Sequence, residues 1–113
     1  MNAPAADWID QLVSLMGKGK VSTSADLIAT HSTDKWDASH PPDAVVFAES
    51  TADVAALMKF ASEHKIPVTT RGAGVGYVGG CVPIRGGIAL SMMRMNRILG
   101  IHPEDGVAIV QPG

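Results

Sequence analysis

Five glycines crowd into the ten residues 71–80, R-G-A-G-V-G-Y-V-G-G: Gly72, Gly74, Gly76, Gly79 and Gly80. Ordered glycine is entropically costly, so this density points to close backbone approach or to dihedrals that other residues avoid. A loop of this kind turns successive N–H groups inward and makes an anion-binding concavity from main-chain dipoles alone. The chemistry it suggests is capture of a phosphate, above all a nucleotide diphosphate, with Arg71 heading the loop as an added charge. The plainer alternative is a flexible linker. Linkers of that type are polar and serine-rich, whereas Ala73, Val75, Tyr77 and Val78 stand between these glycines.

Two familiar nucleotide motifs do not apply. Gly74-x-Gly76-x-x-Gly79 has the spacing of a dinucleotide fingerprint, but that pattern needs a helix opening on it. Pro83 and the pair Gly86-Gly87 oppose a helix there. Arg94 and Arg97 stand where an acidic ribose contact belongs. No Gly-Lys-Ser/Thr follows, which excludes a Walker loop.

Other candidates are weaker. Asp34, Asp37 and His40 form a conceivable metal set, but His40 precedes two prolines and has no regularly spaced second histidine. Residues 31–43 therefore read as a solvated loop, with Trp36 as a packing residue. Cys81 reads as a small buried residue, and Met92, Met93 and Met95 as core fillers. His64 falls in the last turn of a helix, where a cation suits the dipole. His102 borders a turn. No catalytic acid or base is identified.

The elements that must position the loop come next. Residues 7–16 carry Trp8, Ile9, Leu12, Val13, Leu15 and Met16 at helical spacing, with Gly17 as a stop. Lys18 and Lys20 read as a solvated turn, and Ser24 as the cap of a short helix with Leu27 and Ile28 inward. Residues 44–48 form a continuous apolar run, the mark of a strand buried on both faces. Ser50-x-x-Asp53 is a variant capping box, opening a helix whose stripe is Val54, Leu57, Met58 and Ala61. A strand at 66–70 follows at once. This is a β-α-β unit with parallel strands and a right-handed crossover. The glycine loop then leaves the carboxyl end of a parallel strand, where open α/β sheets bind ligands. Residues 88–92 read as another strand, and 98–102 with 107–111 as a hairpin around Pro103-Glu104-Asp105-Gly106.

Composition limits the function classes. The 113 residues suit one small core, and 46% hydrophobic with 18% charged residues suits a globular chain. A net charge of −2 without a basic run argues against nucleic acid. No apolar run has the length of a membrane span. Residues 1–7 lack the basic start and apolar centre of a secretory signal. A single cysteine allows no internal disulfide, in keeping with a cytoplasmic location.

In order, P-D-A-V-V-F-A-E-S-T-A-D-V, I-P-V-T-T-R-G-A-G-V-G-Y-V-G-G, G-G-I-A-L-S-M-M-R-M-N-R-I-L and V-A-I-V-Q-P-G resemble the start of an FAD-binding domain of the vanillyl-alcohol oxidase and p-cresol methylhydroxylase (PCMH) type. Within it, the resemblance is strongest to the glycolate oxidase FAD subunit and D-lactate dehydrogenase group. It implies an α/β (α+β) fold: the first lobe of a PCMH-type domain, with a small parallel β-α-β sheet, flanking helices and a C-terminal hairpin. Residues 1–37 would be an N-terminal helical segment and 38–113 the N-terminal part of the FAD-binding domain, truncated at its C-terminus.

The resemblance further implies that Gly72, Ala73, Gly74, Val75 and Gly76 donate N–H groups to the FAD diphosphate, with Arg71 adding charge or bracing the loop. Tyr77, Gly79 and Gly80 would line the path to the flavin. Val75 departs from the threonine or serine usual there, and Ala48 from a proline near the adenine. Cys81 bears no mark of a flavin tether. The complete protein would oxidise a 2-hydroxy acid of the glycolate or D-lactate type and pass electrons to an acceptor other than NAD, with an electron-accepting partner subunit as one possibility. The alternatives are a stand-alone FAD- or ADP-binding lobe and a non-catalytic remnant.

Overall fold

The computed structural model describes residues 5–113. Residues 1–4, which belong to the stretch read as lacking a secretory signal, lie outside the described residues. Helix α1 (Ala5–Met16) buries Trp8, Leu12 and Met16 at i, i+4 and i+8, and Gly17 at φ 99° ends it. A 3-10 turn at Lys18–Lys20 leads into β1 (Val21–Ser22), a strand that sequence patterning did not indicate because two residues carry no period. Helix α2 (Ala25–Thr30) starts on Ser24, whose Oγ accepts the Leu27 N–H. Leu27 and Ile28 are half-buried rather than core.

Strand β2 (Ala44–Phe47), helix α3 (Thr51–His64), strand β3 (Val68–Arg71) and strand β4 (Ile88–Ser91) form the centre of the fold. The four-stranded sheet has the order β1-β2-β4-β3. β2 and β3 both run parallel to β4, as the β-α-β reading expects, but β4 lies between them. β1 adds an antiparallel edge on β2, so the sheet is mixed. Alternating residues point to opposite faces. Ala44, Val46, Ala48, Ile88, Leu90 and Met92 share the core with Trp8, Leu12, Leu57 and Phe60 of α1 and α3. Val45 and Ala89, on the opposite face, are also fully buried, which explains the unbroken apolar run.

Helix α3 differs in detail from its sequence reading. Leu57, Phe60 and Ala61 are buried, while Met58 is 46% exposed. Leu57, Phe60 and Ala61 share one face at i, i+3 and i+4, where the Phe60 ring stacks on His64 with centroids 4.1 Å apart, and Met58 falls off that face. The cap is confirmed with a shift: Asp53 N–H donates to Ser50 Oγ at 3.1 Å, but Asp53 Oδ2 accepts from Glu49 N–H at 3.0 Å, one residue before the cap. Asp53 Oδ2 also meets Lys20 Nζ at 2.8 Å, so Lys20 is a tie between the first turn and α3 rather than a free surface charge. That hydrogen bond holds the Asp53 carboxyl below the usual range and the Lys20 ammonium above its own. His64 keeps a structural role: Nδ1 bonds the Phe60 carbonyl and Nε2 meets Gln11 Oε1 of α1.

The hairpin is present as β5 (Ile98–His102) and β6 (Val107–Val110), joined by a 3-10 turn at Pro103–Asp105 and by Gly106 at φ 65°. Ile98, Ile101, Ile109 and Val110 are all exposed on it. Among the described residues no helix is long and apolar enough to cross a membrane.

Candidate functional site

The three parallel strands end in register, Phe47 and Arg71 both opposite Ser91. The glycine loop leaves β3 at this carboxyl edge. Arg71, expected as the first loop residue, is instead the last strand residue and is only 8% exposed. Its side chain folds back beneath the loop. Gly74 sits above it at φ 73°, and a Cβ added there would run into Arg71 Nη2. Two constraints thus require glycine at one position: the left-handed backbone and the guanidinium packed under it.

The loop divides into a tethered half and a free half. Gly79 N–H donates to Asp34 Oδ2 at 2.9 Å, while the Gly76 carbonyl accepts Lys35 N–H at 3.1 Å. Among the described residues, the N–H groups of Gly72, Ala73, Gly74, Val75 and Gly76 donate to no protein acceptor. Gly72 packs beside the Pro112 carbonyl, placing the C-terminal Q-P-G against the loop. A cavity of about 370 Å³ opens along residues 70–76, with Val78, Gly80 and Cys81 on its wall. A second, also about 370 Å³, shares Arg71, Gly72 and Ala73 with it and is otherwise lined by Leu27, Thr30, His31, Phe47 and Met93. No carboxylate lines either one.

These features fit a diphosphate. Arg71 has no carboxylate partner among the described ion pairs, and its buried Nη1 has no hydrogen-bond partner. A buried, unpaired guanidinium is costly unless an anion compensates it. Free amides directly above a guanidinium supply both main-chain dipoles and charge to one ligand group. Tyr77 and Val78 are exposed at the loop tip, where Tyr77 meets Trp36 edge-to-face, centroids 6.1 Å apart. Trp36 is therefore a surface partner of the loop, 74% exposed, and not the packing residue expected. The 31–43 stretch is also less solvated than its composition suggests, since His31 and Ser32 are buried. Asp34 and His31 are the site residues that sequence reasoning missed. Asp34 had a local signal, the Asx turn that accepts Trp36 N–H; His31 had none. Among the described residues no three His, Cys, Asp or Glu side chains gather as a metal site.

Comparison with known proteins identifies the family. A family model described as FAD binding domain matches residues 42–113. A D-lactate dehydrogenase from Anaerostipes hadrus is 49% identical over 72 residues, covering 64% of this chain and 15% of that protein. A glycolate oxidase subunit from Bacillus subtilis is 40% identical over 72 residues, with the same two coverages, 64% and 15%. The structure of p-cresol methylhydroxylase with substrate bound superposes with a TM-score of 0.71 at 29% identity, covering 85% of this chain and 20% of that one. The chain thus spans about a fifth or less of the length of these relatives.

Proposed function

Because the chain belongs to the FAD binding domain family, whose cofactor is FAD, we propose that the free half of the glycine loop and Arg71 together hold the FAD diphosphate. The observation that carries this reading is the buried guanidinium of Arg71, unpaired beneath a run of unpaired amides. Gly72, Ala73, Gly74, Val75 and Gly76 donate N–H groups to the phosphate oxygens. Arg71 supplies the charge those dipoles lack. Val75 offers no hydroxyl, so main-chain donors carry the binding at that point. Tyr77, Gly79 and Gly80 line the way from the diphosphate to the flavin, and Asp34 fixes the Gly79 end of that path. Residues 38–113 form the flavin-binding part; of the preceding segment, residues 5–37 contribute helices α1 and α2 and the edge strand β1.

Bound FAD supplies a two-electron acceptor. We infer that the whole protein oxidises a 2-hydroxy acid, a reading supported by the D-lactate dehydrogenase and glycolate oxidase relatives. The Bacillus subtilis relative is a subunit of a glycolate oxidase, which supports a partner chain; we infer that this partner accepts the electrons. No residue of this chain is assigned as the catalytic acid or base; its residues bind and orient the cofactor.

Titration with FAD and with riboflavin, followed by flavin fluorescence, tests the site. FAD binding is expected to saturate while riboflavin, without a diphosphate, does not. Arg71→Met is expected to weaken FAD binding about tenfold or more, as loss of a hydrogen bond to a charged group does. Equal affinity for both flavins, or no response to FAD, would overturn the reading.

A further inference from the structure

The hairpin stops pairing at a glutamine. In an antiparallel pair, opposed residues exchange both main-chain bonds. Arg97 and Gln111 stand next in register after Ile98 and Val110, and Gln111 N–H donates to the Arg97 carbonyl at 2.9 Å. The return bond is different: Arg97 N–H donates to the Gln111 side chain, to Oε1 at 3.1 Å. A carboxamide nitrogen cannot accept there, so the Arg97 donor fixes which way the Gln111 side chain faces. The side chain stands in for the Gln111 main-chain carbonyl, and the backbone is free to leave the ladder. Pro112 follows and has no N–H with which to extend the pairing.

The chain released in this way runs onto the glycine loop. Gly113 N–H donates to the Met95 carbonyl at 2.8 Å, and a Cβ added at Gly113 would run into the Met92 carbonyl. Met92 and Met95 are buried, and Met92 N–H donates to the Arg71 carbonyl at 2.9 Å. The seat of Gly113 is therefore part of the core and is joined to the end of β3. Residues 111–113 form a strap between these two anchors. At its middle, the Pro112 carbonyl oxygen lies 3.4 Å from where a Cβ on Gly72 would stand. At the other end of the unbonded amides, Lys35 N–H holds the Gly76 carbonyl at 3.1 Å. Main chain from two distant parts of the sequence thus bounds the run 72–76.

We propose that Gln111 is a positioning residue for the glycine loop: by taking the Arg97 N–H on its side chain it turns residues 112–113 out of the hairpin, and the Pro112 carbonyl then walls Gly72 so that its amide keeps one direction. Donors held in place before the ligand arrives bind it without a further ordering cost. The effect on cofactor affinity rests on the diphosphate reading above; the seating of the strap does not.

The test combines flavin titration with measurements that need no cofactor. Gln111→Met keeps the length of the side chain and removes the acceptor. It is expected to lower the hydrogen-exchange protection of the Gly113 amide and the ¹⁵N order parameter of Gly72, while the β5 and β6 amides beyond Arg97 stay protected. FAD binding is expected to weaken about three- to tenfold, as loss of one hydrogen bond does. Gln111→Glu retains an acceptor at the same reach and is expected to leave Gly113 protection and Gly72 order as in the parent chain. Gly113→Ala lifts the strap from its other end and is expected to weaken FAD binding by a similar factor. Adding Gln111→Met to Gly113→Ala is then expected to change affinity less than about twofold further, because both act through one strap. A Gln111→Met chain whose hairpin loosens while Gly72 order and FAD affinity stay unchanged would overturn the proposal, since Gln111 would then only close the hairpin. Equal loosening by Glu and Met, or full additivity with Gly113→Ala, would also overturn it. If Gln111→Met fails to fold, Gly113→Ala decides alone, and an unchanged Gly72 order parameter overturns the proposal. A parent chain that binds no FAD, but whose Gly72 is loosened by either substitution, supports the strap and overturns the diphosphate reading alone.

Discussion

At the scale of single residues, Gly74 and Arg71 constrain each other. A side chain at position 74 meets both a left-handed backbone and the guanidinium below it. Gly74→Ala is expected to destabilise the chain by about 1–3 kcal/mol and to displace Arg71, so that FAD affinity falls more than stability alone explains. Chemical denaturation beside a flavin titration checks both. His31 makes a second residue-scale prediction. Its folded-state value lies below the ordinary imidazole value of about 6.5. Below that pH the unfolded chain binds the proton first, so stability falls as pH drops from about 6.5 through the lower folded value, and is level above. His31→Gln is expected to flatten that limb of a stability–pH curve. An unchanged slope would mean that another group titrates there.

At the scale of elements, the loop depends on tethers far away in sequence. Asp34→Ala is expected to free the Gly79 end and to raise hydrogen exchange across residues 76–80 while α3 and β4 stay protected, since the core does not include Asp34. Ser50→Ala is expected to cost about 1 kcal/mol through the α3 cap, measurable by denaturant unfolding and without effect on flavin affinity. These two substitutions separate what positions the site from what merely builds the scaffold.

The same contrast explains what the sequence made legible. Helices α1 and α3, strands β2 and β4 and the hairpin each carry a period, a cap or a turn within a few residues, and the chain displays them. The glycine loop stood out because its composition has few other uses, and the structure leaves the N–H groups of residues 72–76 without protein acceptors. The insertion of β4 between β2 and β3, the two-residue strand β1 and the Asp34–Gly79 tether depend on pairings across tens of residues. No local pattern encodes those. Arg71 shows the limit most clearly: its identity was visible, but its burial beneath Gly74 with an unpartnered Nη1 was not.

At the scale of the molecule, the sheet and helices α1 and α3 share one core, whereas β5 and β6 stand apart with apolar side chains in solvent. Open strand edges with apolar faces favour association. The chain is expected to self-associate as concentration rises, and Ile101→Lys with Ile109→Lys to suppress this in sedimentation velocity without altering FAD affinity. A concentration-independent monomer would contradict this expectation.

The most direct measurement is a ¹H–¹⁵N correlation spectrum of the labelled chain titrated with FAD. The largest shifts are expected at the amides of Gly72, Ala73, Gly74, Val75 and Gly76, with the Arg71 side-chain N–H signals moving alongside them. FAD binding that leaves those amides unmoved and shifts the amides of another surface instead would contradict the assignment of the glycine loop as the diphosphate site.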